Sequence, residues 1–225
     1  MKRLSPLVWA LAVACKSGPT TKTIAATWQM VGSTVSVAAW SRDSTALARA
    51  LERMRDSTRA FDSTTARAAA RAAWGAARRD QPLRLEWRDV ADSYVLDAAV
   101  PLLAGDADSA LVDLGGLFLW VGPATKRSVG IANPGSALEP VAGVELRSGA
   151  ISTVSGRGER RSITVLAPSA FSAAAWSSAL FSLGCEQALA QAARRGISVV
   201  CADSTGVRWS PDLQNRVVLP PGHEP

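Results

Sequence analysis

Apolar and small polar side chains alternate near the start of the chain, and a helical spacing follows. Residues 27–40 place valines between serines and threonines. This period of two predicts an antiparallel strand pair or a single bent strand. Leu47, Leu51 and Met54 then recur every three or four residues behind Asp43. That spacing predicts a helix that is capped by Asp43 and packs its apolar face on the sheet.

The rest of the chain consists of short apolar runs between turn residues. Helices are predicted at residues 63–79, 91–103, 171–183 and 187–195, strands at residues 83–87, 112–121, 128–131, 141–146, 151–154 and 162–167, and a closing hairpin at residues 197–210. Strands and helices are segregated rather than alternating one by one. The pattern therefore predicts a single α+β domain with mixed or antiparallel strands and packed helices.

The first residues are typical of an export signal. Lys2 and Arg3 precede a short apolar run over residues 4–14, and Cys15 follows directly. A basic start, a short apolar segment and small residues before a cysteine indicate a lipoprotein signal, in which the thiol is acylated. The alternative is a cytosolic protein with an apolar start. The signal predicts a protein on the periplasmic side that is anchored by lipid to the cell membrane or the outer membrane.

Composition divides the chain into four segments. A signal peptide is predicted at residues 1–14, the lipidated cysteine and a tether at residues 15–26, the domain at residues 27–218 and a flexible tail at residues 219–225. With 225 residues, of which 48% are hydrophobic, the chain is long enough for one substantial core.

Charge and cysteine content narrow the classes of partner. The formal charge of +6 comes from arginines scattered along the chain, which favours a solvated surface over a nucleic-acid groove. We therefore expect no nucleic-acid partner. Cys185 and Cys201 remain if Cys15 is lipidated, and the sequence is compatible with a disulfide or with two buried thiols.

Four patches in the second half of the chain have an informative order and spacing. They read Leu-Val-Asp-Leu-Gly-Gly at 111–116, Val-Gly-Ile-Ala-Asn-Pro at 129–134, Ser-Thr-Val-Ser-Gly-Arg-Gly-Glu-Arg at 152–160, and Ser-Ile-Thr-Val-Leu-Ala-Pro at 162–168 with the helix that follows. In this order they resemble the C-terminal half of the ApbE-type FAD:protein FMN transferases. The resemblance extends over most of residues 27–218.

The resemblance implies a flavin cleft and names its residues. Cofactor contacts are implied for Met30, Gly32, Ser33, Tyr94, Ser155, Gly156 and Arg157. Taken alone, residues 154–160 are equally typical of a hairpin turn with solvated charges. The segment Asp113–Gly116, taken alone, is more typical of a strand with a bulge or a close packing contact than of a ligand contact.

The resemblance also implies a magnesium site that is weakened or lost. In the family, a main-chain carbonyl, an Asp and a Thr hold Mg²⁺ against the FAD pyrophosphate. Here Ala91 stands at the carbonyl position and Ser178 at the Thr position. Ala174 stands where the family has the Asp, and Asp92 where it has a lysine. Because Mg²⁺ usually requires one or two carboxylate ligands, Ala174 removes a major ligand.

Two functions follow from the resemblance. One is a lipid-anchored FAD:protein FMN transferase that cleaves the FAD pyrophosphate with Mg²⁺. It would join FMN to a Thr or Ser of an exported acceptor protein, such as a subunit of a membrane redox complex. The other is a catalytically inactive flavin-binding or scaffold lipoprotein of the same fold. No catalytic side chain is assigned.

Overall fold

Eleven strands and four α-helices make up the described part of the protein. The computed structural model describes residues 21–30, 33–60, 68, 90–123, 127–134, 136–156 and 160–220. The strands are β1 (Lys22–Met30), β2 (Ser33–Ser41), β3 (Ser109–Asp113), β4 (Leu117–Val121), β5 (Arg127–Asn133), β6 (Ser136–Leu146), β7 (Gly149–Gly156), β8 (Arg161–Ala167), β9 (Ser198–Asp203), β10 (Gly206–Trp209) and β11 (Val217–Val218). The helices are α1 (Ser44–Ala60), α2 (Ala91–Ala99), α3 (Ala170–Phe181) and α4 (Cys185–Arg195), with 3₁₀ turns at Val100–Leu103 and Pro211–Leu213.

Two antiparallel sheets organise these strands. The large sheet has eight strands in the order β1-β2-β3-β4-β7-β8-β9-β10, and the small sheet has the order β11-β6-β5. Every pair of neighbouring strands is antiparallel. The predicted α+β class with antiparallel strands and packed helices is confirmed.

The four helices cover one face of the large sheet, and the small sheet covers the other. Helices α1 and α2 pack on β1 to β4 around residues such as Val35, Leu47 and Met54. Helices α3 and α4 pack on β8 and β9. On the opposite face, apolar residues of β5 and β6 meet Trp120 and Ile151. The large sheet therefore contributes to the three larger buried clusters of the described residues.

The start of the domain follows the predicted pattern, and its strand pair is longer than expected. β1 and β2 pair in continuous register from Lys22 opposite Ser41 to Met30 opposite Ser33. Residues 22–26, which the composition assigns to a tether, are thus part of the sheet. The Asp43 carboxylate accepts hydrogen bonds from the backbone N–H groups of Thr45 and Ala46, both at 2.9 Å. This confirms the predicted cap of α1.

The apolar run at residues 112–121 forms two strands, and the prediction of one buried strand is wrong. Gly115 and Gly116 have φ values of +59° and +103°. They turn the chain between β3 and β4, and the N–H of Leu114 bonds the carbonyl of Leu117 at 2.8 Å. Because residues without a Cβ adopt positive φ at little cost, the Gly-Gly pair marks a turn rather than a bulge.

Most other predicted elements are confirmed with small shifts at their ends. The predicted helix at residues 91–103 is α2 followed by a 3₁₀ turn, because Pro101 cannot donate the next helical hydrogen bond. Helix α4 ends at Gly196, which has φ +64°. The predicted strand at residues 83–87 lies outside the described residues, as does the predicted helix at residues 63–79 apart from residue 68.

A disulfide joins the first residue of α4 to the middle of β9. Cys185 and Cys201 are bonded, with their Cα atoms 5.6 Å apart, and both are buried. Of the two alternatives open from the sequence, the disulfide is the one formed. None of the helices in the described ranges is long and apolar enough to cross a membrane.

Candidate functional site

One end of the large sheet gathers most of the residues to which the family resemblance points. β2 begins here at Ser33, α2 begins at Ala91 and β7 ends at Gly156. A short hydrogen bond links β2 to α2, and α3 is linked to α2 and to β7 by further polar contacts. The site is therefore built from the ends of several elements rather than from one loop.

Ser33 and Asp92 form the polar contact between β2 and α2. The Ser33 hydroxyl donates to Oδ2 of Asp92 at 2.5 Å. Burial raises the pKa of Asp92 above its usual value, and the hydrogen bond from Ser33 opposes part of that rise. The hydroxyl assigned to the flavin is thus bound to a carboxylate that stands where the family has a lysine.

Asp97 connects α2 to the start of α3. Its two carboxylate oxygens accept the backbone N–H groups of Ala170 and Phe171, each at 2.8 Å. Burial raises the pKa of Asp97, while these hydrogen bonds act in the opposite direction. The sequence alone does not reveal that the partner Ala170 lies 73 residues away.

The aromatic ring of Tyr94 packs beside α3. Its centroid lies 6.0 Å from that of Phe171, in an edge-to-face arrangement with an interplanar angle of 82°. Tyr94 is half-buried, so part of the residue reaches solvent. The contact holds α2 and α3 together and positions the tyrosine predicted to touch flavin.

Ala174 lies in a small apolar cluster in place of a metal-binding carboxylate. It is 6% exposed and packs with Val90, Ala175 and Phe171. A methyl group cannot ligate a cation, and a hard ion such as Mg²⁺ requires oxygen donors. Of the other two predicted metal positions, Ala91 and Ser178 are both half-buried. The residues at this position do not fit a magnesium ion.

Ser177, the neighbour of Ser178 on α3, is held by two hydrogen bonds. Ser177 is fully buried, and its Oγ lies 2.9 Å from Oγ of Ser152 on β7. It also donates to the carbonyl of Ala174 at 3.1 Å. The contact with Ser152 attaches α3 to the sheet through Ser177, whereas Ser178 is half-buried.

The remaining predicted cofactor residues are spread around the same end of the sheet. The Met30 side chain is 1% exposed and belongs to the core under α1. Ser155 is exposed and Gly156 is half-buried, at the end of the β7–β8 hairpin. Gly32 and Arg157 lie outside the described residues, as does the predicted lipidation site Cys15.

Asp113 is a polar residue whose surroundings the sequence did not predict. Its Oδ1 is buried and has no hydrogen-bond partner among the described residues. Burial raises its pKa, and the backbone N–H groups of Gly116 and Gly115 oppose that rise. An Asp directly before a Gly-Gly turn is the signal for such a contact, because the turn exposes backbone donors.

A second group of potential ligands is excluded as a metal site. The side chains of Cys185, Cys201 and Asp203 approach one another closely. The two sulfur atoms are bonded to each other. Since a thiolate is the form that binds metal, this cluster offers only one carboxylate.

Comparison with solved structures identifies the fold. The apo flavinyl transferase ApbE of Pseudomonas stutzeri matches with a TM-score of 0.69 at 18% identity, over 87% of this chain and 97% of that one. The ApbE protein of Thermotoga maritima matches with a TM-score of 0.64 at 16% identity, over 87% and 99%. The flavin transferase ApbE of Vibrio cholerae matches with a TM-score of 0.59 at 16% identity, over 88% of this chain and 100% of that one.

The sequence comparisons find no match of their own. No protein-family profile matches the chain, and no curated protein does. The likeness therefore lies in the three-dimensional arrangement and in the few motifs that accompany it. The resemblance predicted from those motifs is confirmed at the level of the fold, and this chain has the fold of the ApbE flavin transferases.

Proposed function

We propose that this protein binds a flavin at the end of the large sheet and does not transfer FMN. The observation that carries this proposal is Ala174, whose methyl group packs with Val90 and Phe171 where the family has a metal-binding carboxylate. Without that ligand, the protein lacks the main means of neutralising a pyrophosphate for cleavage.

Asp92 adds a second obstacle to pyrophosphate cleavage. The family has a lysine at this position, and a cation there offsets the negative charge of the phosphates. Asp92 is acidic, half-buried and hydrogen-bonded to Ser33. When ionised, its carboxylate repels a pyrophosphate, so the site favours the isoalloxazine and ribityl parts of a flavin over the charged linkage of FAD.

The proposed location is the periplasmic side of a membrane, with a lipid anchor at Cys15. The disulfide between Cys185 and Cys201 supports an oxidising compartment, because structural disulfides are rare in the cytosol of most organisms. The partner would be a protein of the same compartment, and a subunit of a membrane redox complex is the class that the resemblance suggests.

The competing function is the transferase itself, and one pair of measurements separates the two. The purified chain is titrated with FMN and with FAD, with and without Mg²⁺, while flavin fluorescence is followed. In parallel it is incubated with FAD, Mg²⁺ and a Thr-containing acceptor peptide. We expect flavin binding that is indifferent to Mg²⁺, no AMP and no flavinylated peptide.

Each other result has a defined meaning. Release of AMP together with covalent FMN on the peptide would establish the transferase and reject the proposal. Failure of both flavins to bind would leave a scaffold role and also reject it. A shortened protein that begins at residue 16 can replace the full chain if the full chain is poorly soluble. It is used only if its circular dichroism spectrum and melting transition match those of the full chain.

A further inference from the structure

We propose that Arg127, which lies over the rings of Trp40 and Trp120, forms a binding site for an oxyanion, either a carboxylate or a phosphate group. The guanidinium carbon is 4.7 Å from the ring centre of Trp120 and 5.1 Å from that of Trp40. The two indole rings are 6.0 Å apart and tilted by 46°. The guanidinium therefore lies where two aromatic faces meet.

This cluster is distant from the candidate flavin site. Trp40 is near the end of β2, whereas Ser33 begins the same strand. Seven residues of extended chain separate them by about 23 Å, at about 3.3 Å a residue. Arg127 begins β5 and pairs with Leu146 of β6, so the cluster lies where the small sheet meets the large one. The site is therefore independent of the proposed function.

Within the described residues, Arg127 differs from several other arginines in having no carboxylate partner, although Arg208 shares with it a buried Nε that has no hydrogen bond. Its Nε is buried, and the structure shows no hydrogen-bond partner for it among the described residues. By contrast, Arg53 and Arg208 each contact a carboxylate of this chain at 2.6 Å, those of Asp106 and Asp203. Across the described ranges, no carboxylate is within ion-pair distance of Arg127.

The indole rings stabilise the positive charge of Arg127 but accept no hydrogen bond in the plane of its guanidinium. Aromatic faces attract the guanidinium through their electron-rich surfaces. They offer no acceptor in the plane of the guanidinium, where its N–H groups point. The buried Nε has lost its hydration and has gained no hydrogen bond from the described residues in return. We place the oxyanion at the terminal N–H groups of the guanidinium, which are not among the buried atoms, and there it would neutralise this cation.

The shape of the side chain defines the class of ligand. The guanidinium presents parallel N–H donors that match two oxygen atoms of one carboxylate or phosphate group. Contact with two rings restricts the side-chain rotamers before the ligand arrives, so less conformational entropy is lost on binding. Carboxylate and phosphate share this geometry, and the experiment distinguishes them.

The test follows the two tryptophans directly. The full chain, with ¹⁵N-labelled tryptophan, is titrated with inorganic phosphate and separately with acetate, at an ionic strength held constant with chloride. The indole N–H of Trp120 donates to the carbonyl of Pro123 at 3.0 Å, which makes its signal a sensitive reporter. We expect saturable shifts of the Trp40 and Trp120 signals with at least one anion, and the stronger anion identifies the ligand class. The variants Trp40→Phe and Trp120→Phe assign the two signals, each by the loss of one of them.

Variants then test the role of the guanidinium. Arg127→Gln is expected to weaken the response roughly tenfold or more, because a hydrogen bond to a charged group is lost. Arg127→Lys keeps the charge but not the paired donors, so its response to the anion should lie between those of the wild type and Arg127→Gln. Arg195→Gln is the matched control, since Arg195 of α4 lies 5.2 Å over the ring of Trp176 of α3. The control should respond like the wild type.

Two results would overturn the proposal. One is the absence of a saturable shift with either anion in the wild-type protein. The other is an Arg127→Gln protein that responds as strongly as the wild type, since the anion would then bind elsewhere. If Arg127→Gln does not fold, the wild-type titration alone decides, because the two indole signals report the site itself.

Discussion

At the scale of single residues, Asp97 connects two helices through its carboxylate and is expected to stabilise the fold. Its carboxylate accepts two backbone N–H groups at the start of α3, at 2.8 Å each. We expect Asp97→Ala to lower the free energy of unfolding by about 1–2 kcal/mol, as measured for lost helix caps, and Asp97→Asn to lose less because its amide oxygen still accepts. Urea unfolding followed by circular dichroism measures both.

A matched control is available on α1. Asp56 has an exposed side chain, and among the described residues its ion pair is with the adjacent Arg55 at 3.3 Å. Asp56→Ala should change the unfolding free energy by a few tenths of a kcal/mol at most. Equal losses for Asp97→Ala and Asp56→Ala would show that the α2–α3 contact contributes nothing to stability.

The raised pKa of Asp92 predicts that the stability of the folded protein depends on pH. Because burial raises its folded-state pKa, the folded protein keeps this proton at pH values where the unfolded chain has lost it. This contribution to stability is fully present below the ordinary carboxyl pKa of 3.8, and it is lost as the pH rises from there through the folded-state value.

The variant Asp92→Asn removes the titration and keeps an oxygen that accepts from Ser33. We expect its unfolding free energy to fall less steeply than that of the wild type as the pH rises above the ordinary carboxyl pKa of 3.8, because the variant has no raised carboxyl pKa at this position. Asp97 and Asp113 retain their own dependence in both proteins. Parallel pH profiles for variant and wild type would contradict the expected burial of Asp92.

At the scale of elements, the disulfide fastens α4 to β9. It closes a segment with a sequence separation of 16. A loop of this length corresponds to about 3 kcal/mol of stabilisation in the chain-entropy description. We expect the double variant Cys185→Ser/Cys201→Ser to lose about this much in urea unfolding. Addition of a reductant should destabilise the wild type and leave the double variant unchanged; a reductant effect on both would point to another cause.

Local patterns predict most elements well and fail where a turn lies inside an apolar run. The α1 helix is predictable because Asp43, Leu47 and Met54 carry both its cap and its buried face. The β3–β4 turn is not, because the apolar residues on both sides of Gly115 and Gly116 read as one strand. An apolar run alone predicts one continuous strand, but the glycine pair allows the positive φ values that turn the chain.

At the scale of the whole molecule, one sheet is shared by the helix layer and the small sheet. Leu213 is fully buried against the small-sheet side. We expect Leu213→Ala to cost about 2–5 kcal/mol and to shift the unfolding midpoint equally by tryptophan fluorescence and by circular dichroism. A shift seen by fluorescence alone would mean that the two layers unfold separately.

The arrangement of the sheet lies beyond local patterns. The order that places β4 beside β7, and the small sheet on the opposite face, depends on pairings distant in sequence. Family motifs supply that information here, since four patches in order indicate the ApbE fold although identity to the solved structures is only 15–18%. The motifs also locate Ala174, but only the structure shows the apolar cluster that surrounds it.

The contact between Asp97 and α3 also determines what the start of α3 can attract. A helix start commonly recruits phosphate through its unpaired amide groups. In α3 the first-turn amides are all used internally, two by Asp97, one by the Ser169 hydroxyl at 3.1 Å and one by the Ser169 carbonyl at 3.0 Å. The protein thus supplies its own anion to this helix. Any phosphorylated ligand must find its donors elsewhere or compete with a carboxylate that is covalently part of the chain.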